Sequence, residues 1–221
     1  MFLFLRALKL DWGAAFTGGA AYLMSGQIVS LVSPGHDGKL FVSALLPLAL
    51  YFLYQGVTSA SWRNYIGFGV TVGLSLITPH VQLTYYLLMA AGFWWLYLVF
   101  LGGERPAGSS WVGSAALFAG ALVLGFSLAA IQLMPFFEYI QYSPRGAEGS
   151  SSTGYEYGTG WSMPPEEILG TLWPAFMGNL RDYWGRNPFK LHSDYIGVAT
   201  LLLASFGFLL EGRRRLAWFF V

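Results

Sequence analysis

Trp111-Val-Gly-Ser-Ala-Ala-Leu-Phe-Ala-Gly-Ala-Leu-Val-Leu-Gly-Phe-Ser-Leu-Ala-Ala-Ile-Gln-Leu-Met-Pro135 runs for 25 residues without an ionisable side chain. About 20 mostly apolar residues cross a bilayer as a helix, and this stretch exceeds that length. Five neighbours repeat the pattern more or less fully: Trp12–Val32, Leu40–Val57, Trp62–Thr78, Val81–Leu101 and Tyr195–Leu210. The shorter ones need flanking aromatic residues or tilted neighbours to match the bilayer. Small residues recur inside them, at Gly18, Gly19, Gly67, Gly69, Gly73, Gly113, Gly120 and Gly125, and in lipid such positions let helix backbones approach closely. Trp12, Trp62, Trp94, Trp95 and Trp111 stand at or near the helix ends, where the interface favours indoles.

Composition agrees with that pattern. Only 10% of the 221 residues are charged against 55% hydrophobic, with a mean hydropathy of +0.52. Soluble domains carry about 25% charged residues, so this chain has too few to cover a water-facing surface. The expected fold is therefore all-α, a polytopic transmembrane helical bundle of about six spanning helices with partial helices at both ends. It forms a single membrane domain over 1–221 that includes one long extracytoplasmic loop, 136–193. The net charge of +1, with no basic cluster interleaved with aromatics, argues against nucleic acid as a partner. Cysteine is absent, which removes disulfides and thiolate chemistry. Met1–Leu8 reads as the end of one spanning helix and Leu216–Val221 as the start of another, so the chain is expected to be an internal fragment.

Orientation follows from the basic residues. Threading the six helices alternately places Arg6, Lys9, Arg63, Arg105, Arg213, Arg214 and Arg215 on one side, and Lys39 alone on the short loops opposite. Seven against one makes the first side cytoplasmic. All three histidines and eight of the eleven carboxylates then face outward. Within the long outer loop, residues 143–154 are rich in Gly and Ser and read as a mobile connection. Ser162-Met-Pro-Pro-Glu-Glu-Ile-Leu169 has a capping serine, early prolines and acidic first-turn residues, which are helix-start signals for a short interfacial helix to about Trp173. A 58-residue connection without spanning character is long enough to carry function.

Three groups on that face carry chemistry. Gly35-His36-Asp37-Gly38-Lys39 sets an imidazole, a carboxylate and an ammonium in a tight turn, suited to an anionic or phosphorylated ligand. Asp37 would serve as base or metal ligand and Lys39 would hold the ligand's charge; the alternative is a polar turn with Lys39 snorkelling. His80 follows Pro79 at a helix end, where an ionisable group is a functional candidate or a helix cap. In 182–195, Arg186 and Lys190 would clamp a phosphate, His192 adds a donor, and Tyr183 and Trp184 offer faces for a sugar ring; the alternative is an interfacial aromatic belt with scattered charges. Glu156 and Trp161 form a further acidic and aromatic patch. The histidines lie in separate loops without short ligand spacing, so a carboxylate-held divalent cation, Mg²⁺ or Mn²⁺, is favoured over a histidine metal centre.

Gly-His-Asp-Gly-Lys-Leu (35–40), Pro-His-Val-Gln-Leu-Thr-Tyr-Tyr (79–86), Trp-Ser-Met-Pro-Pro-Glu-Glu (161–167) and Tyr-Trp-Gly-Arg-Asn-Pro-Phe-Lys-Leu-His (183–192) resemble the YfhO family of bacterial membrane proteins. That family is similar to the GT-C glycosyltransferases. The resemblance implies a multi-pass protein of the bacterial cytoplasmic membrane with its active face outside. It would move a sugar from a polyprenyl-phosphate donor to a cell-envelope polymer or glycolipid acceptor. Asp37, His36 and His80 would be the catalytic group, with Asp37 the metal ligand if a cation takes part. The acidic residue of the first outer loop would lie upstream of this chain, leaving the fragment inactive alone. The alternatives are a transporter or flippase of a lipid-linked or anionic substrate, and a non-catalytic scaffold.

Overall fold

A computed structural model of the chain describes residues 1–32, 34–78, 80–106, 108–143, 155–160, 162–178, 182–186, 193–210 and 214–220, without the side chains of Glu156, Tyr157 and Arg214. In chain order the α-helices are α1 (Phe2–Ala7), α2 (Trp12–Leu23), α3 (Gly26–Ser30), α4 (Asp37–Thr58), α5 (Trp62–Ile77), α6 (Val81–Leu96), α7 (Trp111–Ile140), α8 (Tyr155–Thr159), α9 (Val198–Leu210) and α10 (Arg214–Phe220). α6 widens into a π-helical turn at Tyr97–Leu101, and a 3₁₀ helix occupies Pro165–Thr171. Among the described residues there is no strand.

Three helices are long and apolar enough to cross a membrane: α4 with 22 residues, α6 through its π turn with 21, and α7 with 30. The exteriors of these helices expose Phe41, Val123, Ile131 and Met134, which suits lipid contact and not water. α5 is shorter, at 16 residues, and lies packed between α4 and α7. The stretch expected as one helix over Trp12–Val32 is divided at Met24–Ser25 into α2 and α3. Ser25 and Gly26 mark the division. The Ser25 hydroxyl oxygen accepts the Ile28 amide, opening a new helix, and the Gly26 amide leaves the helical ladder to donate to the Tyr195 carbonyl at 2.9 Å.

The α5–α7 contact explains the small residues. A Cβ on Gly69 would stand 2.6 Å from the Ala121 carbonyl oxygen, and one on Gly125 would stand 2.8 Å from that of Gly69. Each glycine therefore admits the other helix's backbone. Around this contact Phe68 stacks on Phe118 and Phe118 on Trp95, whose indole donates to Ser114. At one end of the bundle Trp94 is fully buried. Its indole donates to the Leu50 carbonyl at 3.1 Å, and Phe4, Tyr97, Phe219 and Phe220 pack around the ring. The Tyr54 hydroxyl donates to the Glu104 carboxylate at the same end, joining the last turns of α4 to the connection between α6 and α7.

α4 contains Pro47, which has no N–H to give the Ser43 carbonyl one turn earlier. The Tyr22 hydroxyl on α2 donates to that carbonyl at 2.7 Å instead. A helix interior in lipid has no water to make good such a loss, so the tyrosine fixes α2 against the weak point of α4.

Candidate functional site

At the opposite end of the bundle from Trp94, Met1, α2, α3, α4, α6, the segment before α9 and the first turn of α9 line a cavity of about 650 Å³. Its polar wall comprises Tyr22, Ser25, Gln27, Lys39, Ser43, His80, Gln82, Tyr86, Tyr195 and Thr200; Leu31, Leu46 and Leu83 are among the apolar remainder. Lys39 stands in the first turn of α4, reached through a turn at Gly35, whose φ of +71° favours glycine.

His80 is the N-cap of α6, and its Nδ1 accepts the Leu83 amide at 3.3 Å. An accepting Nδ1 leaves the ring proton on Nε2. Desolvation lowers the imidazole pKa, and the positive charges of Lys39 and His36 lower it further. The group is therefore neutral at pH 7 and offers an N–H, while Lys39 supplies the cation. The Gln82 amide donates to the Tyr86 hydroxyl at 3.0 Å, leaving that hydroxyl's proton for another acceptor. No carboxylate is among the described residues of the wall. A cavity with cationic and hydroxylic donors, no anion and an apolar flank fits an anionic, acceptor-rich head on an apolar body.

The α2–α3 break holds the cavity's remaining wall. The Ser193 amide donates to the Ser30 hydroxyl at 2.9 Å, and a Cβ on Gly26 would lie 2.8 Å from the Tyr195 Cβ. These contacts set Tyr195 against α3. The Ile196 amide donates to the Thr171 carbonyl at 3.1 Å, so the same short segment also ties down the 3₁₀ helix.

The described residues of 162–178 and 182–186 form a second assembly. Arg186 pairs with Glu166 at 2.8 Å, the Tyr183 hydroxyl donates to Glu167, and the Trp184 indole donates to the Phe176 carbonyl at 3.0 Å. Glu167 is 1% exposed, whereas the Arg186 side chain is 80% exposed and Trp184 remains open. Tyr183, Trp184 and Arg186, expected to contact a ligand, thus hold the helix-start stretch around Glu166 and Glu167 and the Phe176 carbonyl. The 3₁₀ helix begins at Pro165, with Glu166 and Glu167 in its first turn as expected, but Pro164 occupies the cap position and the serine cap expected of Ser162 does not form.

The expected site residues therefore divide. Lys39 and His80 share the cavity, and His36 is close enough to depress the His80 pKa. Asp37 is exposed in the first turn of α4, where a negative charge suits the helix dipole, and does not line the cavity. Tyr183, Trp184 and Arg186 belong to the second assembly. Lys190, His192 and Trp161 lie outside the described residues, as does the side chain of Glu156. Among the described residues no three His, Cys, Asp or Glu side chains gather to hold a metal ion. Tyr22, Tyr86 and Tyr195 were not expected on the cavity wall. Pro47 signals an unmet Ser43 carbonyl, but nothing in the sequence names Tyr22 as its partner.

No family model, curated protein or solved structure matches the chain.

Proposed function

We propose that this integral membrane protein binds a lipid-linked phosphate in the Lys39–His80 cavity and takes part in sugar transfer at the outer membrane face. The observation that carries the reading is the described cavity wall of cationic and neutral donors, with no carboxylate among its described residues, set beside apolar side chains. The four motifs similar to those of the YfhO family support the GT-C-like assignment and the polyprenyl-phosphate sugar as donor.

In that reaction an acceptor hydroxyl attacks the anomeric carbon while the bond from that carbon to the phosphate oxygen breaks. The phosphate departs with the electron pair, and Lys39 with the His80 N–H stabilises its growing charge. The hydroxyl proton passes to a general base. Asp37 and His36, at the mouth of the same turn, are assigned to orienting the acceptor. The open face of Trp184, with Tyr183, Arg186, Lys190, His192, Trp161 and Glu156, is assigned to the envelope polymer or glycolipid. No step is routed through a divalent cation.

The test is consumption of a labelled polyprenyl-phosphate sugar by membranes carrying the full-length chain. Lys39→Met should lower consumption at least tenfold, or about 1.4 kcal/mol of binding, with insertion unchanged. Equal consumption by Lys39→Met and wild type would refute the assignment of the cavity. Transport is a second reading, favoured by one observation: the α2–α3 break lines the cavity, and broken helices mark transporter sites. Movement of the intact donor across vesicles without consumption would establish that alternative.

A further inference from the structure

We infer that residues 37–46 of α4 form a hinged arm that pivots at Pro47 and sets the separation of Lys39 from His80, with the Tyr22 hydroxyl as its latch. The hinge stands on the fold alone; only the effect of a ligand on it rests on the reading of the cavity as a phosphate site. Pro47 is the eleventh of the 22 residues of α4. Its missing N–H removes the ladder bond to the Ser43 carbonyl and its ring crowds the same carbonyl, so the helix is weakest there. Packing changes at the same position. Seven of the eight buried residues of α4 lie from Pro47 onward, and Val42 alone precedes it. The second half of the helix is therefore fixed in the core, where the Trp94 indole donates to its Leu50 carbonyl at 3.1 Å. The first half buries little, which is the property of segments that move most easily.

What holds the arm is polar and local. The Tyr22 hydroxyl donates to the Ser43 carbonyl at 2.7 Å, one turn before the proline. At the far end the turn at Gly35 tethers the arm to α3 through the His36 amide, which donates to the Leu31 carbonyl at 3.0 Å and limits the swing. Lys39 and Ser43 ride on the arm, whereas Tyr22 and His80 stand on other elements, and all four line the cavity. His80 does not share the arm's freedom. Its amide donates to the Thr78 carbonyl at 2.8 Å, and the fully buried Ser75 and Thr84 hydroxyls pair at 2.9 Å, locking the corner between α5 and α6. A pivot at Pro47 thus moves the cation of the cavity against a fixed imidazole. Release of the latch leaves Ser43 at the cavity wall and not in lipid, so opening costs a single hydrogen bond.

The chain contains no cysteine, so introduced pairs carry spin labels at chosen positions, and distances are read by double electron–electron resonance on the full-length chain in nanodiscs. One pair joins Phe41→Cys on the arm to Val123→Cys on α7; the control joins Gln55→Cys, beyond the hinge, to the same Val123→Cys. Phe41 and Val123 are exposed, and Val123 lies beside the close α5–α7 contact. The Phe41 pair should show two distance populations and the Gln55 pair one. Tyr22→Phe should raise the ratio of the open to the latched population about fivefold, equivalent to about 1 kcal/mol. Pro47→Ala should leave the Phe41 pair a single distance, with or without Tyr22→Phe. Phe41 distances that Tyr22→Phe leaves unchanged, or equal broadening of the Gln55 pair, overturn the inference. A long-chain isoprenyl phosphate should favour the latched population in wild type and not in Lys39→Met. An intact Tyr22→Phe effect with no response to that lipid sustains the hinge and refutes the phosphate reading instead.

Discussion

Replacing Tyr22 by Phe removes one oxygen, and its effect should depend on a residue 25 positions away. In the wild type the Tyr22 hydroxyl is the donor that meets the Ser43 carbonyl left open by Pro47. An unmade bond to a buried carbonyl costs roughly 1–3 kcal/mol. Side-chain hydrogen bonds inside membrane proteins average about 0.6 kcal/mol and reach about 1.7. Ser43 is half-buried beside the cavity, so a loss of about 1 kcal/mol is expected for Tyr22→Phe. Pro47→Ala restores an amide one turn from Ser43, which can take the tyrosine's place. In the Pro47→Ala background Tyr22→Phe should then cost close to nothing, giving a coupling of about 1 kcal/mol between the two sites. Pro47 is fully buried, and the packing lost with its ring is common to the single and double variants, so it cancels from the cycle. Unfolding of the four proteins in mixed detergent micelles, followed by circular dichroism, measures the coupling. Additivity within about 0.3–0.5 kcal/mol would show that the two residues act independently and would refute the account.

Other consequences can be measured on the same protein. Gly69→Ala forces a Cβ against the Ala121 backbone and should destabilise by roughly 1–3 kcal/mol. Gly120→Ala, with open space at its Cβ, should be neutral or slightly stabilising; equal thermal midpoints for the two would remove the close α5–α7 contact as an explanation. His80 has a folded pKa below its ordinary value near 6.5, so between those values the unfolded chain binds the extra proton and stability falls as pH drops. The loss begins below about pH 7, and His80→Asn, which can still cap α6, should flatten that part of the curve; an unchanged pH profile refutes the assignment. Glu167→Ala should open the assembly of 162–178 with 182–186 to proteolysis, because it removes the buried carboxylate to which the half-buried Tyr183 hydroxyl donates, whereas Glu166→Ala should cost less than about 1 kcal/mol at its exposed pair. Equal protease sensitivity of the two variants would place the latch elsewhere.

Element existence was legible wherever a single length scale governs it. A run of apolar residues long enough for a bilayer fixes α4, α6 and α7 without knowledge of what they touch, and the glycines in α5 and α7 announce close packing. The division of Trp12–Val32 was not legible, because apolar periodicity passes smoothly across Ser25. What breaks the helix is a carbonyl on Tyr195, 169 residues further along the chain from Gly26, which competes for the Gly26 amide.

The candidate site shows the same limit from the other side. Gly35–Lys39 and His80 could be singled out because ionisable groups are scarce in such a sequence, and scarcity is visible locally. Whether two scarce groups meet depends on helix packing. It brings Lys39 to His80, yet it seats Arg186 on Glu166 and Tyr183 on Glu167, so these two described members of the densest polar motif hold the 3₁₀ helix. Density of charged and aromatic residues therefore overstates a ligand site when another motif of opposite charge lies on the same face. The better criterion is an unmatched sign: the head cavity has a cation and several donors with no carboxylate on its described wall, and that imbalance is what an anionic ligand would correct.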